Sequence, residues 1–149
     1  MRKLIIVMLS LIFVVSVNAQ GSGIGVGIST DGLTGKYWMN GSTAIAVHWN
    51  LGSSIAADYL LHKPEVLNIT DAPTPVYYGA GVAVGTHTGF DDNFDETTEF
   101  DLSVRGVVGV SYYVSSFPVD IFLESTPTLH ILGGGGLGFG GAFGFRYFF

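Results

Sequence analysis

The 149-residue chain is 48% hydrophobic and only 12% charged, with 22 glycines, no cysteine and a formal charge of −6. The missing thiols exclude a disulfide or thiolate–metal framework, and the acidic balance argues against nucleic acid as a partner. Beyond the N-terminus no run approaches the roughly 18–20 apolar residues of a membrane helix, so a helical multi-span protein is excluded too.

Met1–Ala19 reads as a cleaved secretory signal. Arg2 and Lys3 open it, Leu4–Val17 is an apolar run short for a membrane anchor, and Val17-Asn18-Ala19 is a small-residue cleavage site. No cysteine stands there for lipoprotein anchoring. Cleavage after Ala19 leaves residues 20–149 as one domain. Loss of Arg2 and Lys3 leaves four basic residues against 12 acidic ones, a formal charge of −8 (4 − 12).

The remainder divides into eight segments that alternate apolar with small or polar residues. In chain order they are Ser22–Thr30, Leu33–Met39, Thr43–Leu51, Ser54–Lys63, Val76–Thr88, Phe100–Ser115, Val119–Leu132 and Leu137–Phe149. Asp31-Gly32 and Asn40-Gly41 are two-residue hairpin signals. Gly52-Ser53, Ser116-Phe117-Pro118 and Gly133–Gly136 mark three further turns. Pro64–Pro75 is long for a turn. It either conceals a strand extension or breaks the count.

A period of two sends alternate residues to opposite faces. In the last segment Leu137, Phe139, Phe143, Phe145, Tyr147 and Phe149 share one face. Gly138, Gly140, Ala142, Gly144 and Arg146 share the other, with Phe148 as the bulky exception. The third segment sets Ile45, Val47 and Trp49 against Ala44, Ala46 and His48. A soluble sandwich would carry many Lys, Glu and Asp on its polar faces. Here those faces hold mainly Gly, Ala, Ser and Thr, as expected of surfaces enclosed in a lumen. The predicted fold is therefore all-β: a single antiparallel up-and-down transmembrane barrel of eight strands, apolar outside and polar inside.

The chain ends on Phe149, with Tyr147 two residues before it and Gly144 ahead of both. This resembles the terminal signal by which the outer-membrane assembly machinery recognises its clients, although Ala142 stands where a polar residue is usual. Other stretches carry a wider resemblance: Gly32-Leu33-Thr34-Gly35-Lys36-Tyr37-Trp38, Thr43-Ala44-Ile45, Asp58-Tyr59-Leu60-Leu61-His62, Val76-Tyr77-Tyr78-Gly79-Ala80-Gly81, Pro118–Glu124 and Gly144–Phe149. Together they look like a widespread, largely uncharacterised family of small bacterial outer-membrane barrels with a spirochaetal branch. The chain is more loosely similar to the OmpA transmembrane-domain and OmpX class. The resemblance implies a fold and a location, not an activity.

Nearly every strand charge falls on the inward parity: Lys36, Asp58, Asp101, Arg105, Asp120, Glu124 and Arg146, joined there by His48; Lys63 has outward parity but sits at a strand end, where it can snorkel to the interface. Buried charges persist only when paired. Pairing the last hairpin about Gly133–Gly136 predicts Arg146 opposite Phe122, with Asp120 and Glu124 as diagonal neighbours. Pairing about Gly52-Ser53 predicts His48 close to Asp58. The expectation is a salt-bridged plug with a structural or surface-interaction role and no catalysis. A narrow porin-like channel is the second reading and a lipid-directed enzyme the third. His48 with Asp58, or His87 near Thr86 and Thr88, does not complete a nucleophile–base–orienter set. Asp91, Asp92, Asp95, Glu96 and Glu99 form an acidic loop placed outside the cell, where carboxylates could bridge divalent cations to lipopolysaccharide phosphates or meet an extracellular ligand. No cofactor and no resident metal is expected. The expected partners are outer-membrane lipid and lipopolysaccharide, with periplasmic chaperones and the assembly machinery during biogenesis.

Overall fold

The computed structural model describes residues 21–64, 66–67, 73–90, 96–133 and 135–149; the expected signal segment Met1–Ala19 lies outside them. Eight strands follow one another in the chain: β1 (Ile24–Ser29), β2 (Gly32–Asn40), β3 (Thr43–Asn50), β4 (Ser54–Lys63), β5 (Val76–Phe90), β6 (Glu96–Tyr113), β7 (Val119–Leu132) and β8 (Gly136–Phe148). Each pairs antiparallel with its sequence neighbours, and β8 pairs with β1, so the sheet closes into a barrel. The fold is the eight-stranded up-and-down barrel that the alternation predicts.

The registers fix its shape. A path along paired residues from Tyr147 through Val26, Gly35, Val47, Ala57, Val82, Val104 and Leu129 returns to β8 at Leu137, ten residues from its start (147 − 137). A stagger of that size inclines eight strands by roughly 40° and leaves an interior that side chains can fill. Ladder length varies round the wall: fifteen pairs join β5 to β6, from Val76↔Val110 to Phe90↔Glu96, but only five join β1 to β8. The β5–β6 hairpin therefore rises beyond the barrel rim, because β4 ends its pairing with β5 at Ser54↔Gly85. The rim that bears this hairpin is the loop end. The opposite, terminal end carries Gly21, Phe149 and the turns that follow β2, β4 and β6.

Two turns lie one residue from their sequence signals. The first hairpin turns on Thr30-Asp31, and Gly32 opens β2 opposite Ser29 at a φ of 129°. A Cβ there would strike the Trp49 carbonyl oxygen, so the glycine serves the wall rather than the turn. The second turns on Gly41-Ser42, where the Asn40 side-chain oxygen accepts hydrogen bonds from the Ser42 and Thr43 amides at 3.0 and 2.9 Å. The long connection after β4 does conceal a strand extension. The Ser111 and Tyr113 amides donate to the Pro75 and Pro73 carbonyls, continuing the β5–β6 register, but proline has no N–H to return the bond. Pro127 likewise lies in a gap in the β6–β7 ladder, between Arg105↔Thr128 and Val108↔Ser125.

The two faces differ as the period of two demands. Large apolar residues are exposed on the outer face of every strand, from Ile24 and Val26 on β1 to Leu137 (89% exposed) and Phe139 (81%) on β8. Inward residues alternate in size across neighbouring strands. Tyr77 lies against Gly109, Phe122 against Gly144, Phe148 against Gly25, and Asp58 against Gly81. Each glycine gives up its Cβ volume to a large partner, which is how a lumen this narrow holds aromatic rings and charges together.

That complementarity has a clear test. A Cβ on Gly81 would collide with Asp58 and the Ala57 carbonyl, whereas one on Gly35, on the outer face, meets nothing nearer than 3.8 Å. Gly81→Ala should cost about 1–3 kcal/mol through overpacking, and Gly35→Ala should be near neutral. Urea titration of the folded band on unboiled gels measures both; equal effects would dispose of the packing argument.

Candidate functional site

The inward charges come from five strands: Lys36 on β2, Asp58 on β4, Asp101 and Arg105 on β6, Asp120 and Glu124 on β7, and Arg146 on β8, with His48 on β3. The closed register draws most of them into one cluster in the middle and terminal half of the lumen. Lys36 Nζ lies 3.5 Å from Asp120 Oδ2. Arg146 reaches the same carboxylate at 3.4 Å with one terminal nitrogen and Glu124 Oε1 at 3.3 Å with the other. Its Nε donates to Thr34 Oγ1 at 3.0 Å, and its guanidinium carbon lies 3.7 Å from the Phe122 ring centroid. Glu124 Oε1 also accepts from the Tyr77 hydroxyl at 2.7 Å.

The cluster continues toward the loop end through His48, whose Nε2 lies 3.6 Å from both Glu124 Oε2 and Asp58 Oδ2. Asp58 Oδ1 then meets Arg105 Nε at 3.0 Å. Three cationic and three anionic side chains thus lie along one path, Lys36–Asp120–Arg146–Glu124–(His48)–Asp58–Arg105, with His48 between two of the carboxylates. No cation or carboxylate in it lies apart from a partner of opposite sign. This is the condition under which charges survive burial, since removing one partner strands the other.

The terminal end of the path is closed by rings. Trp38, Ala44, Tyr113 and Phe148 form one buried cluster there. Next to it the His62 ring lies between Trp38 and Tyr77, at centroid distances of 4.3 and 4.9 Å. Lys36 Nζ lies 4.6 Å from the Trp38 ring centre and 5.2 Å from that of Tyr77, so the ammonium is held by π faces as well as by Asp120. Ala46, Leu60, Tyr77 and Val107 make a second apolar cluster beside it.

Several sequence expectations shift. Arg146 pairs across the ladder with Asp120, not Phe122, because β7 and β8 are joined two residues out of the expected register. It still reaches Asp120 and Glu124, since its side chain is long enough to span the difference. Asp101 stands apart from the cluster: its carboxylate meets His130 Nδ1 at 3.0 Å near the loop rim, where both are partly exposed. His48 and Asp58 do meet, as diagonal neighbours across Ala46↔Asp58 and His48↔Ala56. Sequence reasoning missed Tyr77, Thr34 and His62 as members, and it brought Phe122 to Arg146 as a direct ladder partner, where the structure has the guanidinium over its ring from two residues away. The three missed residues have inward parity, the only signal that could have marked them.

The remaining candidates fall elsewhere. Asp91, Asp92 and Asp95 lie outside the described residues, as does the Glu96 side chain at the start of β6. Glu99 is exposed on the protruding hairpin opposite His87, whose ring also lies outside the described side chains. At the terminus, Gly144 is held to glycine by Phe122 and the Ile28 carbonyl, while Tyr147 and Phe149 make an edge-to-face pair at 5.1 Å.

Chemically the cluster is a set of acids and cations already engaged with one another. His48 lies beside two carboxylates, and among the described residues no ring nitrogen of His48 or His62 has a hydrogen-bond partner. Among the described residues no group of three or more His, Asp or Glu could hold a metal ion. No protein-family model, no curated protein and no solved structure matches this chain, so the case for its function rests on its own residues.

Asp120 is the carboxylate shared by Lys36 and Arg146, so Asp120→Asn should lower unfolding stability by about 3–5 kcal/mol. Replacing a whole pair, with Lys36→Met and Asp120→Leu together, should recover at least half of that loss. Urea midpoints of the refolded barrel give the comparison; a double variant no better than the single would sink the pairing account.

Proposed function

We propose that the chain is an integral outer-membrane barrel whose lumen is plugged by its own side chains, with a structural or surface-interaction role and no catalysis. One observation carries this reading: the polarity of the fold is inverted. Large apolar residues are exposed on all eight strands, while Lys36, Asp58, Asp120, Glu124 and Arg146 are buried inside. In water such a wall would aggregate; in hydrocarbon it is the surface a barrel requires, because every backbone group along a closed ladder is already bonded within the wall. Exposed Tyr37, Tyr59, Tyr78 and Tyr112 lie toward the terminal end, with Trp49 and Phe100 toward the loop end, in keeping with interfacial aromatic belts.

The signal segment Met1–Ala19 supplies export, which places the terminal end in the periplasm and the β5–β6 hairpin outside. Glu99 on that hairpin then faces the medium, and the acidic run it belongs to would serve to engage divalent cations or an extracellular ligand. The terminal Gly144, Tyr147 and Phe149 serve the assembly machinery. The linked ion pairs and the Trp38–Tyr113–Phe148 cluster favour a plug over a channel.

Two experiments test it. Refolded into planar bilayers, the protein should pass no steady current; a reproducible single-channel conductance would replace the plug with a narrow channel. Deleting Phe149 should abolish accumulation of the heat-modifiable form in cells yet leave refolding of the purified chain into detergent micelles nearly unchanged. Equal loss in both settings would make Phe149 structural and remove the assembly role.

A further inference from the structure

The outer wall is not uniform. Near the loop end it carries a groove of about 370 Å³, walled by the apolar side chains of Trp49, Ile55, Val84 and Phe100. Unequal strand lengths cause it. β4 ends its ladder at Ser54↔Gly85, whereas β5 and β6 continue through Thr86↔Phe100, so the wall steps down beside the overhanging hairpin. The Thr86 amide donates to the Ser53 carbonyl at 2.9 Å, which fixes the corner of the step. Gly52 and Gly85 also line the groove.

We propose that this groove seats one acyl chain of a zwitterionic phospholipid, a reading that rests on the membrane assignment above. Its lining holds no charged residue, so it suits a hydrocarbon chain and not a headgroup. Ser53 and Thr86 join the lining on the loop side. The volume is at the small end of ligand sites, too little for a folded partner's surface feature but sufficient for a chain. Charge decides between lipid sources. Of the six basic residues in the sequence, Arg2 and Lys3 precede the described residues, Lys63 is at the terminal end, and Lys36, Arg105 and Arg146 point into the lumen. None stands beside the groove to receive the phosphates of a lipopolysaccharide, so a phospholipid fits better than lipid A.

The chain's two tryptophans make the test direct: Trp49 is exposed in the groove and Trp38 is buried in the lumen. Trp38→Phe leaves Trp49 as the sole reporter, and subtracting the emission of Trp49→Phe from that of the wild type gives the same signal if the first variant folds poorly. Brominated lysophosphatidylcholine is titrated into the protein held in maltoside micelles. A seated chain quenches Trp49 saturably, and Val84→Phe, which fills the groove, weakens the apparent affinity by about tenfold. Quenching that only tracks the bromolipid fraction, identical in both proteins, overturns the groove. So does loss of the saturable component as a cross-linkable dimer forms, which would make a second copy the occupant. Stronger competition by lipid A than by unbrominated phospholipid overturns the choice of source. In vesicles made wholly of brominated phosphatidylcholine, absence of Trp49 quenching would overturn the membrane assignment itself, and is thereby distinguished from failure of the groove alone.

Discussion

Everything else in this protein depends on the backbone ladder that joins β8 to β1. Until that seam forms, the first and last strands present rows of unpaired N–H and C=O groups, and neither face of the sheet is inside or outside. Once it forms, the period of two becomes a partition: alternate residues are enclosed and the rest face away. The ten-residue stagger then fixes which inward residues meet. Lys36, Asp120 and Arg146 come from β2, β7 and β8, and they share one carboxylate only because the ring is closed.

The enclosed space imposes its own condition. An eight-stranded barrel holds side chains and little else, so each ring or long chain inside requires a small residue opposite. Glycine fills that role at Gly25, Gly81, Gly109 and Gly144. The low charge and high glycine content of the sequence are thus two sides of one arrangement. Charges are few because the lumen admits only those that pair, and glycines are many because the rest must make room.

The sequence made the strands, their count and the inside–outside parity readable, because hydrophobic alternation is a local property. Turns were less legible: Asp31-Gly32 and Asn40-Gly41 lie beside their turns, since Gly32 answers to the Trp49 carbonyl and Asn40 to two amides, neither visible in a dipeptide. Register was the main loss. Arg146 stands opposite Asp120 because of how the Gly133–Gly136 connection closes, and glycine runs leave that open. The cluster's charged members were legible from parity, but Tyr77, Thr34 and His62 were not singled out, because inward parity alone does not say which lumen residues meet. The strand extension at Pro73–Pro75 was hidden because prolines accept ladder bonds without donating them.

The shortness of the β1–β8 seam bears on how the barrel holds together under load. Five register pairs close it, against fifteen between β5 and β6, with one backbone bond beyond each end, so it is among the shortest joints in the wall. Arg146 lies on one side of that seam, and its Nε bonds Thr34 on β2, reaching past β1 altogether. Its other nitrogens hold Asp120 and Glu124 on β7. One side chain therefore ties strands on both flanks of this short joint from within, much as a tie-rod holds a vault whose outer masonry is thin.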